Sequence, residues 1–103
     1  MAKMTAIYKI PKDKEFFEKH YFEVHVPLAK QLPGLIKYEL NDGPILSTTE
    51  HTDIYRIANL YFESLEAMMN AFKSDIGQKC AIARKILAGN DDVQIYVYDT
   101  KDI

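Results

Sequence analysis

Hydrophobic and polar residues alternate in four stretches of the chain, the pattern of β-strands with one buried face. These stretches cover residues 3–10, 36–40, 54–62 and 93–99. The first ends at Pro11, and the second follows Pro33-Gly34, a pair that marks a turn. Residues 41–53 form a long polar segment with the turn-forming run Asn41-Asp42-Gly43-Pro44. A loop of this length is typically functional or disordered, so we regard it as a candidate lid.

Helical patterns occupy two of the intervals between the strands. Asp13 is a good N-cap for a first helix that runs to about Val26, where Pro27 disfavours the helical conformation, so we expect a stop or kink there. Ser64 is expected to cap a second helix through residue 72. We expect Asp75 to cap the continuation of that helix to about residue 88, before Gly89.

The order of the elements limits the fold. A β-α-β-β-α-β sequence is the split arrangement of the α+β ferredoxin-like fold, with a four-stranded antiparallel sheet and both helices on one face. The chain has 103 residues, which fits a single domain spanning residues 1–103. The second face of the sheet is left without a partner. Four strands of ordinary length present about 350 Å² of backbone plate there, which is comparable to the largest apolar patch of a typical monomer.

Composition and charge exclude several classes of function. The net charge is −2, and Arg56 and Arg84 are the only arginines, so there is no basic stripe for nucleic acid. No apolar run approaches the length of a membrane span, and the first residues lead directly into a strand rather than a signal peptide. A single cysteine, Cys80, forbids an intrachain disulfide. We therefore expect a cytoplasmic protein that binds neither nucleic acid nor membranes.

Seven tyrosines and no tryptophan are the unusual feature of the composition, and six of the tyrosines lie on predicted strands. Alternation places the apolar set of the last strand towards the helices and places Tyr96 and Tyr98 on the opposite face. Asn59 and Tyr61 share a side of the third strand. Tyrosine suits an apolar environment in which its hydroxyl, the polar tip of the side chain, finds a polar partner. We therefore expect this face to pack on its copy in a homodimer and to enclose a tyrosine-lined cavity. The predicted substrate-binding residues are His20, Asn59, Tyr61, Tyr96 and Tyr98.

Several segments together resemble the EthD family. They are Tyr8-Lys9-Ile10-Pro11, Phe16 through His20, His25-Val26-Pro27-Leu28-Ala29, Leu32-Pro33-Gly34-Leu35 and Leu60-Tyr61-Phe62-Glu63-Ser64-Leu65-Glu66-Ala67. The resemblance runs in order over nearly the whole chain. It implies a ferredoxin-like fold that dimerises into an α+β barrel, and an association with the oxidation of small organic molecules in degradation or polyketide pathways. The family often has tryptophan where this chain has Tyr21. Some related barrels use a pocket tryptophan for cofactor-free oxygenation, so its absence here weakens that route.

The first helix carries the only concentrated chemistry. His25 is the predicted catalytic residue, since imidazole transfers protons near neutral pH. The alternative is that His25 only hydrogen-bonds backbone carbonyls at the helix end. His20 lies in the apolar arc of the helix. It either contacts the ligand or is a core histidine whose hydrogen bonds are made within the protein. A zinc site is not expected, because His20 and His25 are five residues apart and point about 140° away from each other on an α-helix.

The sequence leaves three functions open. The leading hypothesis is a homodimeric α+β barrel that binds a small organic molecule. It would be a cofactor-independent oxidoreductase or proton-transfer enzyme, with no metal and no tightly bound cofactor. The second is a non-catalytic binding or accessory protein of a catabolic pathway. The third is a structural dimer whose cavity is filled by its own side chains.

Overall fold

Strands and helices follow one another in the predicted order. The structure is a computed structural model that describes all residues from Met1 to Ile103. The strands are β1 (Ala2–Lys9), β2 (Lys37–Leu40), β3 (Ile54–Phe62) and β4 (Val93–Asp99). The helices are α1 (Lys14–His20), a π-helical turn (Tyr21–His25), α2 (Val26–Ala29), α3 (Leu65–Lys73) and α4 (Asp75–Leu87).

The four strands form one antiparallel sheet in the order β2-β3-β1-β4. This is the topology of a ferredoxin-like fold, and it confirms the predicted α+β class. In the middle of the sheet, Ala6 of β1 lies opposite Ala58 of β3 and Ile95 of β4. These residues face the helices. We call the opposite side, with no helix on it, the outer face; it carries Lys3, Thr5, Ile57, Asn59, Tyr61, Tyr96 and Tyr98.

The strand tyrosines divide between the two faces. Tyr61, Tyr96 and Tyr98 lie on the outer face, as the alternation predicts. Tyr8 is buried beneath the helices, and Tyr38 lies on the same side. Alternation would also place Tyr55 on the outer face. The register shifts at the end of β1, however, so the Tyr55 hydroxyl reaches α1 and donates to Glu18 at 2.7 Å.

The first helical region continues beyond its predicted end at Val26 and stops only at Ala29. Its start is as predicted, since the Asp13 carboxylate accepts the Phe16 N–H at 3.0 Å. Pro27 has no N–H and cannot complete an α-helical hydrogen bond. The backbone passes this point by widening into the π-helical turn, where the Val26 N–H bonds the carbonyl of Tyr21.

A tight corner joins α3 to α4. Ser64 caps α3 by accepting the Ala67 N–H at 3.1 Å, as predicted. The cap of α4 is Ser74 rather than Asp75, because the Ser74 hydroxyl accepts the Gly77 N–H at 3.1 Å. A side chain at Gly77 would collide with backbone carbonyl oxygens at the end of α3. Glycine at this position therefore allows the two helices to meet so closely.

The hydrophobic core lies between the sheet and the helices. Its largest fully buried side chains are Tyr8, Phe17, Tyr21, Phe62 and Met68. Coverage fades towards the edge strand β4, where Val93 is buried but Ile95 and Val97 stay about half exposed. None of the helices has both the length and the apolar character that crossing a membrane requires.

Candidate functional site

A cavity of about 270 Å³ lies between the sheet and the helices. Its floor is the middle of the sheet, where the opposed residues Ala6 and Ala58 are too small to fill the space beneath α4. The walls come from every strand and from the helical regions. The lining residues are Met4, Ala6, Tyr8, His25, Ala29, Leu32, Tyr38, Ala58, Leu60, Phe72, Gly77, Cys80, Ala81, Arg84 and Ile95. The cavity is thus mostly apolar, with a few polar groups among the hydrophobic ones.

His25 is the predicted residue that the structure places in this cavity. It is the last residue of the π-helical turn, and its ring lies 5.2 Å from the ring of Tyr21, centre to centre. The Nδ1 atom is buried and has no hydrogen-bond partner. The backbone contact expected under the alternative interpretation is therefore not made by this atom. A buried polar atom without a partner costs free energy, so it is a place where a ligand can bind favourably.

Burial makes His25 a neutral side chain. It lowers the pKa of His25 from 6.5 to about 4, and the positive charges of His20 and Arg84 act in the same direction. Burial outweighs the opposing field at the end of the helix, which is worth less than one pKa unit. At pH 7 the imidazole therefore has one N–H and one free lone pair, and it can donate or accept a hydrogen bond.

Two tyrosines, Tyr8 and Tyr38, line the same cavity. The hydroxyl of Tyr38 is 2.7 Å from that of Tyr21, and either can be the donor. Burial raises the pKa of Tyr38 to about 12 and also raises the pKa of Tyr8. Both lining phenols are therefore protonated at neutral pH. They are polar groups without charge, suited to orienting a ligand.

Helix α4 brings a cation and a thiol to the cavity. Arg84 donates from Nη1 to the carbonyl of Ala88 at 2.9 Å and forms no salt bridge. Burial raises the pKa of the Cys80 thiol. Neither residue was among the predicted site residues. The signal was present in the spacing, since Ile76, Cys80 and Arg84 recur every four residues and share one helix face.

The other predicted site residues lie away from this cavity. His20 packs its ring on Phe16, and its Nε2 lies 3.3 Å from the carbonyl oxygen of Ala83. The remaining four are on the outer face, separated from His25 by the sheet: Asn59, Tyr61, Tyr96 and Tyr98. No residue of the loop 41–53 lines the cavity.

Polar side chains on the outer face form their own network. The Glu39 carboxylate accepts from the Tyr61 hydroxyl at 2.7 Å and pairs with Lys37 at 3.1 Å. Asn59 accepts the Thr5 hydroxyl at 2.8 Å. Around this network, Tyr96 and Tyr98 remain about half exposed. The outer face thus has paired polar groups and unpaired aromatic area.

A buried arginine supports the π-helical turn from behind. The Arg56 Nη2 bonds Glu18 at 2.6 Å, while Nε and Nη1 have no hydrogen-bond partner. Aromatic rings take the place of those partners: the guanidinium lies 4.6 Å from the ring centre of Tyr21 and 5.0 Å from that of Phe22. Cation–π contacts of this kind are stronger away from water. Arg56 therefore fixes Tyr21, which in turn packs on His25.

The polar groups of the cavity are few and of different chemical kinds. No group of three or more histidine, cysteine, aspartate or glutamate side chains is placed to hold a metal ion. The polar groups of the cavity are one imidazole, two phenols, one thiol and one guanidinium. These groups suit hydrogen bonding and proton transfer to an organic molecule.

The sheet order and the one-sided helical layer define an α+β domain of the ferredoxin-like class. A family model described as the EthD domain matches residues 9–85. The chain belongs to the EthD family. An uncharacterized 11.0 kDa protein from the thcB–thcC intergenic region of Rhodococcus erythropolis is 35% identical over 81 residues, covering 79% of this chain and 78% of that protein.

Solved structures show the same fold. An EthD family protein from Bacillus halodurans has a TM-score of 0.88 at 26% identity, covering 98% of this chain and 99% of that one. SnoaB, a cofactor-independent oxygenase from Streptomyces nogalater, has a TM-score of 0.69 at 13% identity, covering 99% of this chain and 94% of that one. At 13% identity the likeness to SnoaB establishes the fold alone.

Proposed function

We propose that this protein binds a small, largely apolar organic molecule in the cavity beneath α4. We further propose that it acts on that molecule as a cofactor-independent oxidoreductase or proton-transfer enzyme, with His25 as base. The observation that carries the proposal is His25, a neutral imidazole whose buried Nδ1 has no hydrogen-bond partner, among the residues that line an otherwise apolar cavity. Apolar pockets with a few convergent polar groups and a perturbed titratable residue are typical of substrate sites.

The size of the cavity limits the ligand. At about 270 Å³ it lies just below the usual range for small-molecule sites, about 300–1,000 Å³. A single ring or a short branched chain fits such a volume. The hydroxyl of Tyr38 and the imidazole of His25 then provide polar contacts that fix its orientation. The proposed substrate is thus a small monocyclic or acyclic molecule.

The proposed reaction begins with proton transfer. Neutral His25 accepts a proton from an acidic O–H or C–H group and becomes an imidazolium, leaving the electron pair on the substrate. The resulting anion is either reprotonated at another atom by the imidazolium, or it forms a C–O bond to dioxygen as co-substrate, which is reduced to a hydroperoxide that takes up the proton of the imidazolium. SnoaB is a cofactor-independent oxygenase, which supports the oxidative branch by analogy of fold.

A second function is favoured by the same pKa. A histidine whose pKa is about 4 is a weak base, because proton transfer to it from a group of pKa about 10 is uphill by about 8 kcal/mol. Catalysis therefore requires the site to stabilise the ion pair that forms. Without such stabilisation, the cavity serves a non-catalytic binding protein in which His25 only hydrogen-bonds the ligand.

Turnover and binding measured together separate these functions. We expect small phenols and lactones incubated with the protein in air to be consumed by the wild type but not by His25→Ala. His51→Ala, in the exposed loop, is the matched control and should retain activity. Binding without turnover would leave the binding protein as the function. Failure of every compound to bind the cavity would contradict both. A lower melting temperature of His25→Ala with unchanged binding would make His25 structural.

We also propose that two copies of the chain associate through their outer faces. The support is an aromatic surface on a sheet whose other side is already covered, since Tyr96 is 52% exposed and Tyr98 is 42% exposed. Asn59 and Tyr61 lie beside these residues, and the four would line the space between the copies. This keeps their proposed ligand contacts at the interface, separate from the cavity that contains His25.

A further inference from the structure

The cavity that contains His25 has a positive charge without a counterion. Arg84 is the one permanently charged side chain among its lining residues, and none of them is an aspartate or glutamate. No carboxylate elsewhere pairs with Arg84, since the two salt bridges of the protein are Lys37–Glu39 and Arg56–Glu18. Arg84 is partly buried and has no anionic partner within the protein, so an anion that enters the cavity can pair with it.

The guanidinium also has donors left over. Arg84 has five N–H groups, and its recorded hydrogen bond uses Nη1, which donates to the Ala88 carbonyl at 2.9 Å. That bond holds the side chain against its own helix. The remaining N–H groups match the geometry of an oxygen anion, which a guanidinium binds through two parallel hydrogen bonds.

The neighbouring groups are neutral and do not compete for this charge. Burial raises the pKa of Tyr8 and of Cys80, and it holds Tyr38 protonated at neutral pH with a pKa of about 12. The charge of Arg84 is close enough to act on both groups: it contributes to the lowered pKa of His25, and it opposes the rise that burial causes in the pKa of Tyr8. The cation and the unpartnered imidazole thus face the same small space.

We propose that the ligand of this cavity is a small apolar monoanion whose negative charge lies on oxygen, and that Arg84 is the residue that selects it. The proposal rests on the proposed function and names the substrate class of that site. A carboxylate provides the charge from the start, whereas a phenol or enol acquires it when its proton passes to His25. In the second case Arg84 stabilises the oxyanion that forms, which makes the transfer less unfavourable.

Matched acids and amides test the proposal because they have the same shape and differ in charge. The probes are benzoate and benzamide, phenylacetate and phenylacetamide, and hexanoate and hexanamide, titrated at pH 7 and followed by NMR shifts of cavity residues. We expect at least one acid to bind about tenfold or more tightly than its amide. In Arg84→Met that preference should disappear, with the acid weakened and the amide changed by less than about threefold. Phenol with its methyl ether distinguishes a phenolate source from a carboxylate source.

Two further variants keep the result interpretable. Lys85→Met removes the same charge from the adjacent exposed position of α4 and should leave the preference intact. Arg84→Lys retains a positive charge and should keep part of the preference for acids. This variant distinguishes loss of the charge from a folding defect caused by losing the Ala88 contact. Amides that bind as tightly as acids would overturn the anion proposal while the proposed function stands. Failure of acids and amides alike to bind would overturn the anion proposal, and the proposed function fails only if phenols and lactones do not bind the cavity either.

Discussion

His25 combines two properties that rarely occur together at a structural position. Its Nδ1 is buried without a partner, and its charged form is disfavoured by burial and by the nearby positive charges of His20 and Arg84. Tyr21 packs against the ring of His25, and the hydroxyl of Tyr21 lies 2.7 Å from that of Tyr38. A side chain kept neutral and unpaired is costly to the fold, which is typical of residues that contact ligands.

The lowered pKa of His25 predicts a pH-dependent loss of stability. Because the unfolded chain binds this proton at about pH 6.5 and the folded chain only at about pH 4, stability falls as the pH drops through that interval. The full loss is about 3 kcal/mol and is reached below pH 4. Urea unfolding of the wild type and His25→Asn at pH 7 and pH 4 should show a smaller fall in the variant.

His51→Asn is the matched control for this measurement, since His51 lies in the exposed loop and its removal should leave the wild-type pH dependence in place. Carboxylates that titrate in the same interval are present in all three proteins, so their effect cancels in the comparison. An identical pH dependence for wild type and His25→Asn would show that His25 is not buried as a neutral group.

The elements position this residue in a way that helical periodicity does not reveal. Strand alternation and the caps Asp13 and Ser64 follow local rules, so the strands and the starts of α1 and α3 were predictable from the sequence. The π-helical turn is not local in that sense. It admits one extra residue where Pro27 lacks an N–H, so His25 does not lie where an α-helical wheel places it.

The cavity residues on α4 were missed for a related reason. The sequence pattern indicates a surface residue at Arg84, at the edge of an apolar stripe. In the structure, α4 packs over Ala6 and Ala58, and Arg84 lines the cavity between them. That packing depends on the close corner between α3 and α4 at Gly77. The four-residue spacing places Arg84 on the same helix face as Cys80, but it does not show that a cavity lies beneath that face.

Gly77→Ala is expected to destabilise the protein by about 1–3 kcal/mol or more, because the added methyl group has no space beside the carbonyls of Ala71 and Phe72. Thermal unfolding measures the effect. Gly89→Ala is the matched control, since nothing lies within 4 Å of the added atom, and it should change stability by less than about 1 kcal/mol. Equal stability of the two variants would contradict the close contact between the helices.

At the scale of the whole molecule, the sheet separates two chemically different surfaces. Its helix side holds the apolar cavity with His25 and Arg84, and its outer face holds the exposed pair Tyr96 and Tyr98. Alternation in the sequence assigned Tyr61, Tyr96 and Tyr98 to the outer face correctly, but it failed at Tyr55, where the register shifts. It did not show on which side a cavity forms, because that depends on how much space the helices leave above the sheet.

The proposed association through the outer face predicts a homodimer at micromolar concentration in light scattering. Tyr96→Lys should weaken it by about 30-fold or more in dissociation constant, since it places a charge in an aromatic interface. Ile82→Lys, at a 61% exposed position on α4, is the control and should leave the dimer intact. A wild-type monomer at these concentrations would contradict the association.

The most direct test of the central claim is a crystal structure of the protein with a bound ligand from the acid series. We predict the ligand in the cavity between the sheet and α4, with an oxygen about 2.7–3.2 Å from a ring nitrogen of His25. The charge of that ligand should face Arg84. A ligand bound instead against Tyr96 and Tyr98 on the outer face, with the cavity filled by its own side chains, would contradict the claim.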